Sequence, residues 1–115
     1  MTLGDCIFCK IIAGGIPSNK VYEDELVYAF RDINPQAPVH ILVAPKEHMK
    51  DMAECATRAD DLAGHIMKVC VKIAENEGLV NGFRLVTNKG EDGRQSVGHL
   101  HVHILGGGQL SEKMG

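Results

Sequence analysis

The chain has 115 residues, which suits one domain over residues 1–115 around one core, and its formal charge of −3 excludes a strongly basic face and duplex nucleic acid as main partner. No apolar stretch is long enough for a membrane-spanning helix, and residues 1–5 lack the charged and apolar regions of a secretory signal. The expected location is therefore cytoplasmic, with Cys6, Cys9, Cys55 and Cys70 as thiols or metal ligands rather than disulfides.

Along the chain, Asp5 is expected to cap a short helix over 6–13, where Ile7, Phe8, Ile11 and Ile12 recur at helical spacing and Gly14-Gly15 stops the pattern. Residues 21–23 and 26–30 read as two strands around an Asp24-Glu25 turn. Residues 32–38 form a loop, because Pro35 and Pro38 cannot donate to a ladder. A third strand covers 40–44 and closes at Pro45. Thr57, with Asp60 three residues on, is expected to cap the main helix. Leu62, Ile66, Val69, Cys70 and Ile73 form its apolar stripe, and Gly78 stands where a left-handed terminating residue is wanted. His65 and Met67 read as helix surface, and Met49 as a gap filler. Residues 83–87 are a fourth strand, followed by a polar, glycine-bearing loop to Gly98. The order predicts an α+β fold: an antiparallel sheet of about five strands with one long and one short helix.

The last strand carries the chemistry. In His99-Leu100-His101-Val102-His103-Ile104-Leu105, three histidines alternate with apolar residues. Alternation sends Leu100, Val102 and Ile104 to a core and sets the histidines in a row on the other face, roughly 7 Å apart. Imidazole serves near neutral pH as nucleophile, general acid or metal ligand. The preceding loop holds Asn88, Gln95 and Ser96 among Gly90, Gly93 and Gly98, a composition that suits an oxyanion. A catalytic metal on the row competes with nucleophilic use. No His-Glu-x-x-His and no carboxylate support it, and direct nucleophilic use is the preferred reading. No Walker-type phosphate loop is present.

Those residues closely resemble the histidine-triad nucleotide-binding proteins over nearly the whole chain. The family pattern alternates three histidines with apolar residues and ends on two apolar residues; residues 99–105 match it throughout. Residues 6–12, 30–38, 40–48 and 93–97 are similar to the phosphoramidase branch. The resemblance implies a purine nucleotide-binding hydrolase that cleaves nucleoside phosphoramidates, adenylated or guanylated amines, through a nucleotidyl-histidine intermediate. It implies His101 as nucleophile and His103 as donor to a phosphate oxygen, with Ser96 and Gln95 bonding the phosphate or protonating the leaving group. Asn88 would help hold the phosphate, and His40 would orient the triad. Phe8, Ile11, Ile16, Phe30 and Ile33 would line a slot for the base, with Val97 beside them. Asp32 would accept from the ribose hydroxyls. Without the resemblance, Phe8, Ile11 and Ile33 read as core, and Asp32 as a turn former. Dinucleoside polyphosphate hydrolysis is the alternative reaction, and a nucleotide-binding scaffold with incidental turnover the alternative class. His103 stands where the family's nucleotidyl transferases carry glutamine, which favours hydrolysis.

Cys6 and Cys9 form a Cys-x-x-Cys pair that reads as a redox pair, a metal clip or coincidence; the βαβ setting of a thioredoxin-like site is absent. Some relatives bind a structural zinc through that pair and two histidines, here His48 and His99. Two buried thiols are the equal alternative. No catalytic cofactor is implied. A homodimer joined through the long helix and a central strand is. Two departures stand out: Arg94 replaces a small residue, and residues 109–115 lack the Trp-Pro-Pro ending of the animal phosphoramidases, so the leaving-group side differs.

Overall fold

The computed structural model describes residues 5–114; residues 1–4, most of the stretch read for a secretory signal, and residue 115 lie outside the described part. In chain order the elements are α1 (Ile7–Ile12), β1 (Lys20–Glu23), β2 (Val27–Arg31), β3 (Val39–Pro45), α2 (Met52–Ala56), α3 (Leu62–Asn76), β4 (Phe83–Thr87) and β5 (Val102–Gly106). The strands form one antiparallel sheet in the order β1-β2-β3-β5-β4, as the α+β reading predicts. No helix among the described residues is long and apolar enough to cross a membrane.

Strand alternation splits the sheet into two chemically different faces. Val27, Ala29, Ile41, Val43, Val102 and Ile104 point one way and meet Leu62, Ile66, Val69 and Ile73, the apolar stripe of α3. Tyr28, Phe30 and Leu42 point the other way and meet Phe8 and Ile11 of α1. Phe30 pairs with Leu42 across β2–β3, and Leu42 with His103 across β3–β5. A single row therefore runs from an aromatic ring to an imidazole on the α1 face. Ile104, fully buried and paired with Ile41 and Leu85, anchors the other face. Ile104→Ala should cost about 2–5 kcal/mol of stability. Urea titration checks this; a loss below about 1 kcal/mol would show that the sheet centre collapses around the gap.

The helix caps differ from expectation. Cys6, not Asp5, caps α1: its extended backbone lets Sγ accept the Cys9 N–H at 3.3 Å. Thr57 does not cap the main helix but ends α2, an unexpected third helix, where its hydroxyl donates to the Glu54 carbonyl at 2.7 Å. Asp51 starts α2 by accepting the Glu54 N–H at 3.0 Å, and Glu54 reaches back to the Lys50 N–H at 3.3 Å. This local pair of bonds starts α2 ahead of Thr57 and so leaves Thr57 at a helix end rather than a helix start. Arg58 then ties Glu47 and Asp60, each at 2.6 Å, and α3 starts after Asp61, whose φ of 53° breaks the helical path. Asp24 organises the β1–β2 turn. Burial works against its charge, but the Leu26 and Val27 N–H groups and the Tyr22 and His65 side chains outweigh it and hold the carboxyl at about 2.

Candidate active site

The three histidines do not form the single row on a sheet face that the alternation predicts, because His99 departs from it. Regular strand begins only at Val102; His99 and His101 are buried, at 0% and 5% exposure, in an extended approach to it. The Leu100 N–H donates to the Met49 carbonyl at 2.7 Å, so this approach is pinned outside the β3–β5 ladder. His99 consequently turns away from its two partners and into a second cluster.

Hydrogen-bond partners fix the protonated nitrogen of each ring, because a carbonyl oxygen only accepts and a backbone N–H only donates. His101 Nδ1 donates to the His99 carbonyl at 2.8 Å, which leaves Nε2 as its lone-pair nitrogen. His40 Nδ1 accepts the Gln36 N–H at 3.0 Å, so its proton is on Nε2. That Nε2–H donates to His103 Nδ1 at 2.9 Å and leaves His103 with its own proton on Nε2. His99 Nε2 donates to the Pro45 carbonyl at 2.9 Å and keeps a lone pair on Nδ1. The result is one lone-pair imidazole beside one donor imidazole, their ring centres 5.0 Å apart.

Burial holds all four rings neutral. It pushes His101 below the usual histidine range against the opposing pull of the His99 carbonyl. It carries His103 down to about 4, helped by the neighbouring His101 and His40. His40 and His99 are lowered for the same leading reason. A neutral ring is what nucleophilic attack requires.

His101 and His103 line a slot of about 220 Å³ with Phe8, Ile11, Phe30, Asp32, Ile33, Ser96 and Val97. Phe8 packs edge-on to His101 at 4.9 Å and to Phe30 at 5.5 Å. Ile33 stands at the lip, 97% exposed, so it is not a core residue. Larger hollows of about 510 and 590 Å³, at the α3–β4 connection and along β1, contain no histidine. Sequence reasoning missed Leu42, Ile7, Pro17, Ser18 and Arg31, which also line the slot. Leu42 was recoverable, because it shares strand parity with His40.

Four expected residues stand elsewhere. Ile16 packs against the cluster beneath α1, not in the slot. Gln95 is a strut of the loop: Oε1 accepts the Gly90 N–H at 3.0 Å, and Nε2 donates to the carbonyls of Lys50 at 2.7 Å and Val97 at 3.0 Å. Asn88 is similarly engaged with the Gly93 carbonyl at 2.6 Å. A side chain on Gly93 would bring its Cβ within 2.5 Å of the Lys89 carbonyl, so the loop closes only on glycine there. His40 and Asn88 line a separate hollow of about 490 Å³ with Arg84, Lys113 and Met114, and His103 is shared between hollow and slot. Arg94, at φ 60°, is exposed and outside the slot.

Two groups of side chains have metal-ligand spacing among the described residues. In the first, the ligand atoms of Cys6, Cys9, His48 and His99 all lie within 4.8 Å of one another. Cys6 Sγ is 3.3 Å from His99 Nδ1, and Cys9 Sγ is 3.4 Å from His48 Nδ1 and 3.5 Å from His99 Nδ1. Tetrahedral zinc with bonds of about 2.3 Å to sulfur and about 2.0 Å to nitrogen needs S–N edges of about 3.5 Å. His99 offers its lone pair inward while its N–H is held by a backbone carbonyl, the arrangement of a metal-ligating histidine. Burial, reinforced by Cys6, pushes the Cys9 thiol up to about 11, so a cation is needed to hold a thiolate there. The residues fit zinc. The second group, Asp32, His40 and His103, does not fit a metal. His40 Nε2 bears the proton that the Gln36 N–H denies to Nδ1.

Comparisons with known proteins place this geometry. The HIT domain model matches residues 13–110. The "14 kDa zinc-binding protein" of Zea mays is 50% identical over 107 residues, covering 91% of this chain and 84% of that one. A histidine triad protein structure from Clostridium difficile superposes with a TM-score of 0.92 at 50% identity, covering 98% of this chain and 99% of that one. A HIT family hydrolase structure from Clostridium thermocellum gives a TM-score of 0.92 at 46% identity, over the same shares of the two chains. With a model match over most of its length and half its residues identical to such relatives, the chain belongs to the HIT family.

Proposed function

We propose that this protein is a nucleoside phosphoramidate hydrolase acting through a nucleotidyl-histidine intermediate. The observation that carries the reading is the tautomer pair at the slot: His101 with its lone pair on Nε2, next to His103 with its proton on Nε2. Similarity to the HIT family hydrolase of C. thermocellum supports the reaction class.

The apolar walls from Phe8, Ile11, Phe30 and Ile33 suit a purine, and Asp32 among them suits ribose hydroxyls. His101 Nε2 attacks the α-phosphorus, and the P–N bond breaks with its electron pair leaving on the amine. The Ser96 hydroxyl, exposed in the slot, relays a proton to that amine and recovers one from water. His103 Nε2–H donates to a non-bridging oxygen as charge gathers there. Water then attacks phosphorus, the P–Nε2 bond breaks, its pair returns to His101, and the nucleoside monophosphate departs with release of the water proton. Gln95 and Asn88 act by shaping the loop that presents Ser96.

Zinc at Cys6, Cys9, His48 and His99 belongs to the same reading, as a structural crosslink between α1 and the triad. So does a homodimer, for which β4 offers an unpaired sheet edge and α3 an exposed Met67 and Val71. All four cysteines are free, in keeping with a reducing cytoplasm.

The hollow beside His103, flanked by Arg84 and Lys113, is the observation that favours dinucleoside polyphosphates as second substrate class. Turnover of an adenosine phosphoramidate against diadenosine polyphosphates separates the two. Faster cleavage of the P–N substrate is expected; preference for the polyphosphates would replace the proposal. Binding of AMP with no turnover of either would favour the scaffold reading. Asp32→Ala should weaken ribonucleotide binding by about 1.5–3 kcal/mol and leave dideoxynucleotide binding nearly unchanged. Equal losses in calorimetric titration of both would show that Asp32 serves the fold alone.

A further inference from the structure

The His40 Nε2–H has two acceptors within reach. His103 Nδ1 is at 2.9 Å and holds the proton in the described state. Asp32 Oδ2 is at 3.5 Å, beyond good hydrogen-bond range but carrying a charge. The other Asp32 oxygen is engaged, accepting the Asn34 N–H at 2.8 Å. Oδ2 is thus the oxygen that remains for either His40 or a ligand in the slot that Asp32 lines. His40 cannot serve both acceptors, because its Nδ1 is committed to the Gln36 N–H. His40 is buried at 6% exposure, so bulk water does not level the choice.

The choice matters at the other end of His103. With the His40 proton on its Nδ1, His103 must carry its own proton on Nε2 and can donate to a phosphate oxygen. Were the His40 proton drawn to Asp32, His103 Nδ1 would lose its donor. Nothing would then prevent the tautomer that presents a lone pair to the phosphate. A ligand hydroxyl that donates to Asp32 Oδ2 occupies the competing acceptor and leaves His103 as the sole partner of His40.

We propose that Asp32 is a positioning residue that acts through His40 on the tautomer of His103, so that the ribose hydroxyls govern the chemical step as well as binding. This rests on the nucleotide reading of the slot. It turns a sugar contact into a specificity device: a nucleotide without ribose hydroxyls binds more weakly and also reacts more slowly once bound.

Nitrogen-15 NMR of the histidine rings tests it, because protonated and lone-pair ring nitrogens resonate far apart. His103 is already Nε2–H in the described state, so AMP should hold it there with no Nδ1–H share, whereas 2′,3′-dideoxy-AMP should leave the minor Nδ1–H share of the free protein. Asp32→Asn removes the competing charge, so His103 should be Nε2–H with either ligand and with none. Kinetically, a 2′,3′-dideoxyadenosine phosphoramidate should show kcat lower by about tenfold or more in the wild type, since losing a donor to a developing oxyanion is worth 10²–10³ when complete. In Asp32→Asn the two kcat values should converge while the KM of the ribo substrate rises. Identical His103 spectra with AMP and dideoxy-AMP, when both perturb Phe8 and Ile11, would overturn the inference and leave nucleotide binding standing. If neither ligand perturbs Phe8 and Ile11, the nucleotide reading fails instead. The free-protein comparison then decides the inference: an Nδ1–H share of His103 that is absent from the free wild type, or equal in it and in Asp32→Asn, overturns it.

Discussion

His101→Ala should abolish turnover while the protein still folds and binds AMP. His101 is the one triad ring that both borders the slot and keeps Nε2 free of a proton. His103 cannot replace it, because its Nε2 is protonated and its Nδ1 is occupied by His40. A general acid or relay such as Ser96 contributes about 10²–10⁴-fold, so Ser96→Ala should retain more activity than His101→Ala. Alanine also deletes a ring packed at 4.9 Å from Phe8, which loosens the slot. His101→Gln is the stricter test: its amide can still donate to the His99 carbonyl and fill much of the space, yet offers no nucleophile. Rapid-mixing mass spectrometry should trap a nucleotidyl adduct on His101 in the wild type and none in either variant. An active His101→Gln protein would sink the covalent mechanism.

What the sequence discloses about this site follows the range of the forces involved. The α3 stripe is a repeated local signal, so it was readable and correctly oriented; β2 and β3 were legible as strands but not by face, because both are buried on two sides, which is why Leu42 was missed. The alternation from 99 to 105 is equally regular, yet it misleads at its start. His99 leaves the row because the Pro45 carbonyl and two thiols, 54, 93 and 90 residues away in sequence, hold it elsewhere. Only the family resemblance, not the period of two, anticipated that separation. The five residues of α2 are too few to show a period, although its Asp51-x-x-Glu54 signal was present and went unread. Amides are the hardest case. Gln95 and Asn88 have the chemistry of phosphate ligands and of loop struts alike, and composition does not distinguish a partner carbonyl from a substrate oxygen.

Protein purified without a histidine tag should contain about one zinc per chain, and its removal should lower thermal stability without unfolding the sheet. The four ligand atoms span α1, the segment after β3 and the approach to β5, so one ion crosslinks three parts of the chain. A ligand present at a thousand times its Kd stabilises the native state by about 4 kcal/mol. The α3-face core does not involve these residues and should persist in the apo protein. Cys6→Ala conflates two losses, because Sγ also caps α1 by accepting the Cys9 N–H. Cys6→Ser separates them: the hydroxyl keeps a cap acceptor but is a poor zinc ligand. Cys6→Ser should therefore lose the metal and most of the chelator-sensitive stability, with Cys6→Ala lower still by the value of the cap, about 1 kcal/mol. Phe8 lies between the two cysteines and packs on both His99 and His101, at 5.9 and 4.9 Å, so the apo protein should also bind AMP more weakly. Stoichiometric zinc that survives removal of both Cys6 and Cys9 would overturn this ligand set.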